Sequence, residues 1–254
     1  MSGAPAAGSR RGRVLSGVVM AVGFVLFFGG FAVTALLYQP FAVPTNSMAP
    51  TVAAGDRVLA ERIGGDEVRR GDVVVFEDPD WGDATMIKRV VGVGGDTVAC
   101  CDGRGRITVN GEPVTEAYLD AESGRATQEF ESVVPEGELF LLGDHRGDSL
   151  DSRSMLDGSG GGSVPRGAVS ARVEAVAWPL GRAGLLERPE GFAGLPGGIS
   201  ERGPLGPLVL AVAGGAVLVF GAGLYGPCAR WRAARRDRRA VRASRVAHNE
   251  GTHG

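Results

Sequence analysis

Two uninterrupted apolar runs, Val14 to Tyr38 and Leu205 to Tyr225, constrain this 254-residue chain more than any other feature. Neither contains a charged residue, and each is long enough to cross about 30 Å of hydrocarbon as a helix. Arg10, Arg11 and Arg13 precede the first run, and eight arginines from Arg230 to Arg245 follow the second. The positive-inside rule then places both termini in the cytoplasm and residues 39–203 across the membrane. That segment carries 16 basic and 27 acidic side chains, a net charge of −11, which the whole-chain value of −2 conceals. The first run exceeds the 7–15-residue core of a cleavable signal peptide, so it reads as an anchor. Ser9-Arg10-Arg11 is only faintly like a twin-arginine signal, because Arg13 stands where such a signal has an apolar residue. Gly214, Gly215, Gly221 and Gly223 suit close packing of the second run against another helix. With Trp231 as its single aromatic, the arginine tail reads as an anchor at an anionic leaflet and not as a nucleic-acid site.

Between the runs the pattern is mainly β. Residues 57–60, 72–76, 89–93 and 138–142 are short strand-like segments, punctuated by Gly-Asp pairs at 55–56, 71–72, 95–96 and 143–144. Arg106 to Val114 reads as a hairpin with Asn110-Gly111 at its tip, the residues a type I′ turn requires. No long amphipathic helical pattern interrupts this segment. Gly158 to Ser163 is flexible by composition, and the Gly/Pro-rich stretch from Pro189 to Pro207 reads as a linker into the second run.

Chemistry is signalled by one amine. Of 27 basic residues, Lys88 is the only lysine. A guanidinium stays protonated and cannot serve as a base, whereas burial can lower an ε-amine until it is neutral. Around Lys88 lies Met86-Ile87-Lys88-Arg89-Val90-Val91-Gly92-Val93-Gly94-Gly95-Asp96. Upstream is Pro44-Thr45-Asn46-Ser47-Met48-Ala49-Pro50-Thr51, and downstream is Gly143-Asp144-His145-Arg146-Gly147-Asp148-Ser149-Leu150-Asp151-Ser152-Arg153. In this order and spacing, across about residues 14–180, the three blocks resemble the bacterial type I signal peptidases, membrane-bound Ser-Lys enzymes.

The resemblance implies a signal-peptidase-like folded β-sheet or barrel between two transmembrane helices, with a small inserted subdomain near residues 97–137. It implies Ser47 as nucleophile and Lys88 as general base, since a serine hydroxyl needs an adjacent base. The Ser47 N–H and the Thr45 hydroxyl would form the oxyanion site, although Thr45 reads equally well as a residue that fixes the turn after Pro44. Ser149 would orient the lysine amine, Asp151 and Arg153 would form a bracing ion pair, and Asp144 with Arg146 would join the same scaffold. His145 departs from the asparagine usual at its position and reads as a structural substitution. Val43, Pro44, Met48, Val52, Met86 and Ile87 would line shallow substrate pockets, or equally be ordinary core. The implied specificity is for small residues in an Ala-x-Ala pattern. Asp144, Asp148 and Asp151 do not have EF-hand spacing.

The expected layout is a basic cytoplasmic N-terminus at 1–13, a helix at 14–38 and a catalytic domain at 39–188. A linker at 189–204, a second helix at 205–225 and a basic cytoplasmic tail at 226–254 follow. The expected activity is that of a plasma-membrane serine endopeptidase that removes signal peptides from exported preproteins. Its partners would be those signal peptides, the lipid bilayer and the secretion translocon, with no nucleic acid, cofactor or metal. The alternative is an inactive or specialised paralogue that binds or processes a single exported partner. A self-cleaving repressor of the Ser-Lys type is disfavoured by the two apolar runs and the lack of a DNA-binding module. Cys228 falls on the opposite side of the membrane from Cys100 and Cys101, whose redox state stays open.

Overall fold

The computed structural model describes residues 8–223 except 83, 122, 124–127 and 159, with side chains from residue 14 onward. The arginine tail, Cys228, His248 and His253 lie outside the described residues, as do the side chains of Arg10, Arg11 and Arg13. The described chain divides into two compact units, one containing the apolar helices and the other spanning residues 35–203.

In the first unit, α1 (Gly8–Leu37) and α2 (Leu205–Gly223) both qualify in length and apolarity to cross a membrane. Phe28, Phe31, Leu210 and Phe220 are each more than half exposed, as expected of helices apolar on every side that face lipid. Glycines bring the two together. A Cβ at Gly215 would fall 2.5 Å from the Phe27 nitrogen and 2.7 Å from the Gly23 carbonyl oxygen, so only hydrogen fits there. The Thr34 hydroxyl donates to the Gly30 carbonyl at 2.8 Å, which satisfies a polar group that lipid cannot.

The second unit is mainly β, as the turn and strand signals indicate. Its larger sheet runs β1 (Tyr38–Ala42), β2 (Arg57–Arg62), β11 (Val169–Trp178), β3 (Val73–Phe76), β4 (Met86–Val93), β9 (Glu138–Leu142) and β10 (Val164–Pro165), with β12 (Gly184–Leu185) also on β11. Every pairing is antiparallel. Side chains alternate faces along a strand, so the all-apolar β3 serves two cores at once. Val73 and Val75 join Val43, Met48, Val52, Val58 and Val173 on one side, while Val74 and Phe76 join Trp81, Val90, Leu139 and Leu141 on the other.

A smaller sheet, ordered β7 (Glu112–Pro113), β6 (Ile107–Val109), β5 (Thr97–Cys100) and β8 (Phe130–Val133), packs its apolar face onto β4 and β9 through Phe130 and Phe140. The β6–β7 turn has the predicted chemistry, with positive φ at Asn110 (55°) and Gly111 (80°). Asp96 fastens this sheet to the larger one, accepting from Arg70, the Val93 N–H and the Asn110 amide. Cys100 and Cys101 are joined to each other. Two stretches that composition marks as flexible or linking are packed. Phe192 is fully buried beside Phe140, and the Gly161 carbonyl accepts from Ser132.

Candidate active site

Ser47 sits on a loop whose two ends are tied together. After β1 the Val43 N–H donates to Asp56 and the Gly55 N–H donates back to Val43, closing residues 43–56 into one structure. Within it the Asn46 side chain accepts from the Ala54 N–H at 2.8 Å. Met48 and Val52 are driven into the core on either side of a turn, which leaves Ser47 half-buried at the surface. β4 delivers the amine from the opposite wall. Lys88 Nζ lies 2.8 Å from Ser47 Oγ, and the lysine is only 4% exposed. Burial lowers the Lys88 pKa, partly opposed by the negative charges of Asp151 and Asp144. The Thr45 hydroxyl lies 3.3 Å from Ser47 Oγ, on the same mouth.

Behind this pair the third motif folds around three buried ion pairs. Adjacent residues of β4 face opposite ways, so Arg89 points away from Lys88. Arg89 reaches Asp144 with two bonds of 2.8 and 2.7 Å, donates to the Gly71 carbonyl, and stacks 3.6 Å over the Tyr118 ring. Asp144 also accepts from the Thr51 hydroxyl at 2.5 Å, which links the third motif to the Ser47 loop. Arg146 belongs to the same scaffold: its N–H donates to the Asp144 carbonyl, and its guanidinium pairs with Glu116, whose other partner is Tyr118. Asp151 pairs with Arg153 at 2.7 Å and accepts from the Gly143 N–H, while Arg153 also donates to the Arg146 carbonyl.

The expected hydrogen bond from Ser149 to the lysine amine is not formed. Ser149 Oγ is buried without a partner among the described residues. It is packed over Gly143, where a Cβ would fall 2.0 Å from that hydroxyl and 2.5 Å from the Ser47 carbonyl oxygen. His145 contributes its main chain, donating to the Ser47 carbonyl at 3.1 Å and accepting from Asp148, while its Nδ1 has no partner among the described residues.

A cleft of about 590 Å³ opens at the Ser47–Lys88 pair. Residues 41–48 form one wall and 84–88 the other, so Val43, Pro44, Met48, Met86 and Ile87 lie where the pockets were expected. Val52 does not: it is wholly buried in the core beside Met48 and is not part of the lining. Asp148 and Leu150 complete the cleft and were not anticipated. Also missed were Arg89, Thr51, Gly143, Glu116 and Tyr118. Arg89 had a signal, because a second charge in a strand otherwise fit for burial demands a buried acid. Glu116 and Tyr118, in an irregular connection, had none.

The arrangement brings a serine hydroxyl, a desolvated amine and a peptide-sized cleft together. The signal peptidase family, peptidase S26, matches residues 12–178. A signal peptidase I from Leptolyngbya laminosa is 34% identical over 160 residues, covering 59% of this chain and 73% of that protein. Signal peptidase I U of Bacillus subtilis is 35% identical, covering 50% and 71%, and signal peptidase I of Mycobacterium tuberculosis is 28% identical, covering 70% and 77%. A solved signal peptidase I from Enterococcus faecalis V583 is 30% identical, covering 41% of this chain and 94% of that one, with a TM-score of 0.34. On the extent of the family match and the relatives' coverage, the chain belongs to the signal peptidase family, peptidase S26, and is a serine endopeptidase.

Proposed function

We propose that this peptidase cleaves signal peptides from exported preproteins with Ser47 as nucleophile and Lys88 as general base. The observation that carries the reading is the 2.8 Å contact between Ser47 Oγ and the buried, pKa-lowered amine of Lys88. With the amine neutral, Nζ takes the hydroxyl proton as Oγ attacks the scissile carbonyl. The oxyanion is received by the Ser47 N–H and the Thr45 hydroxyl, donors whose loss costs about 10²–10³ in rate at comparable sites. Collapse of the intermediate breaks the C–N bond, and the lysine returns its proton to the leaving amine. Water, deprotonated by the same amine, then hydrolyses the ester and restores Ser47. Asp144, Asp151 and Arg153 hold the loop behind the pair, and Ser149 packs it against Gly143.

The substrate lies between the walls at 41–44 and 84–87, bound through its backbone with alternate side chains in the apolar pockets. Small residues at the first and third positions before the cut, as in Ala-x-Ala, match their shallow lining. α1 and α2 anchor the enzyme in the plasma membrane, and the arginine-rich flanks keep both termini cytoplasmic. The catalytic unit then faces preproteins leaving the translocon. Cleavage of an Ala-x-Ala preprotein by the full chain in detergent tests the reading, with Ser47→Ala and Lys88→Arg as controls. Both variants should be inactive. An active Lys88→Arg enzyme, which keeps the charge but loses the titratable amine, would refute the assignment of the base.

A further inference from the structure

The cleft contains one charged side chain that the proposed mechanism does not use. Among the described residues of its lining Lys88 and Asp148 are the two ionisable groups, and Lys88 must be neutral to act. Asp148 is exposed, and its carboxylate has no hydrogen bond or ion pair among the described residues. Its position is fixed all the same, because its N–H closes a turn onto His145, whose own N–H holds the Ser47 carbonyl. When the base is in its working state, the described residues of the lining therefore carry a net charge of −1, located at Asp148.

In the substrate pose proposed above, the walls at 41–44 and 84–87 receive the residues before the cut. The 145–150 loop, whose His145 N–H holds the Ser47 carbonyl, brings Asp148 and Leu150 into the lining of the same cleft, and with both walls assigned to residues before the cut we assign this loop to those after it. We infer that Asp148 is a specificity-determining residue, selecting preproteins with a basic residue, and against those with an acidic one, at the first or second position after the cut. This rests on the function proposed above. An exposed carboxylate acting over a side-chain length of 6–7 Å in a water-like dielectric changes affinity by about threefold per unit charge, hence about tenfold between Lys and Glu. Glu77, which accepts from the Thr85 hydroxyl at the same rim, has the same sign and is the rival source of any such preference.

The test uses full-length enzyme in uncharged detergent and preproteins that differ only in Lys, Gln or Glu at those two positions. For wild type, kcat/KM should rank Lys over Gln over Glu, with Lys exceeding Glu about tenfold at low salt. The ratio should shrink towards one in 1 M salt, where the Debye length is about 3 Å. Asp148→Asn should bring it close to one at low salt, and Asp148→Lys should invert it. Because the ratio is internal to each enzyme, a change in overall activity cancels. A ratio near one in wild type, or one that survives Asp148→Asn, would overturn the inference, the latter result implicating Glu77. Cleavage of the Gln substrate without charge preference overturns this inference alone, whereas failure to cleave it at all overturns the proposed function as well.

Discussion

Removing the Asp144 carboxylate tests whether the buried scaffold behind the Ser47–Lys88 pair holds the catalytic unit together. The Arg89 and Asp144 side chains are only 2% and 0% exposed, so Asp144→Ala strands a guanidinium with no access to water. Loss of one partner from such a pair costs about 3–5 kcal/mol. Glu116 and the Tyr118 ring remain near Arg89 and place the expected cost at the lower end. In a unit of this size about 1 kcal/mol moves Tm by roughly 2–4 °C, so Asp144→Ala should lower it by about 6–12 °C. Tryptophan fluorescence of the detergent-solubilised chain follows the transition through Trp81, buried in the core beside Phe76. The double variant Arg89→Met/Asp144→Leu, which replaces the pair by apolar groups, should recover at least half of that loss. A fall below about 2 °C for Asp144→Ala, the smallest shift that a loss of about 1 kcal/mol would produce, would refute the argument. So would a double variant that unfolds at the temperature expected from simple addition of the two single changes.

Two further predictions concern the chemistry. Because burial lowers the Lys88 pKa, kcat/KM should rise with pH and level off below the ordinary lysine value of 10.5. Asp144 opposes that lowering, so Asp144→Ala should move the acid limb to lower pH, and Arg89→Met, which leaves Asp144 uncompensated, should move it higher. Shifts of the same sign in a pH–rate series would contradict the electrostatic account. Gly143→Ala puts a methyl group onto Ser149 Oγ and the Ser47 carbonyl and should lower kcat by about 10²-fold, since displacements near 1 Å carry that cost. Normal kcat in the Gly143→Ala enzyme would show that the loop can yield without moving Ser47.

Local chemistry was legible in the sequence because it is written in contiguous residues. The Asn110-Gly111 turn, the strand at 138–142 and the apolar runs all follow from neighbours in the chain, as does the uniqueness of Lys88. Long-range partners were not legible. Arg89 meets Asp144 from 55 residues away and Arg146 meets Glu116 from 30, and nothing in one sequence chooses between the many acids available. β11 was overlooked although its burial alternates over much of its ten residues, because Arg172 and Glu174 occupy its half-buried positions and obscure the apolar period. For Val52 the sequence leaves pocket and core equally open, and the turn after Met48 decides for the core. The stretch from Pro189 has no periodicity and reads as a tether, yet it docks through Phe192, Leu195 and Ile199 and through the Pro196 carbonyl, which accepts from Arg70.

The alternation of Lys88 and Arg89 along β4 has a consequence for how the chain must assemble. Both residues are needed, on opposite faces, and a strand's side chains exchange faces with a slip of one residue. Such a slip against β3, where Lys88 now sits opposite Val74, would present a permanently charged guanidinium to Ser47 and leave the titratable amine to face Asp144. The misregistered sheet would keep one cation on each side, and charge count alone would not disfavour it. Discrimination comes in part from the two-pronged fit of guanidinium to carboxylate, which an ammonium cannot reproduce, and in part from Gly92, where a Cβ would fall 2.4 Å from Val98. The ion pair thereby favours the register that sets the Lys88 amine, the proposed base, beside Ser47.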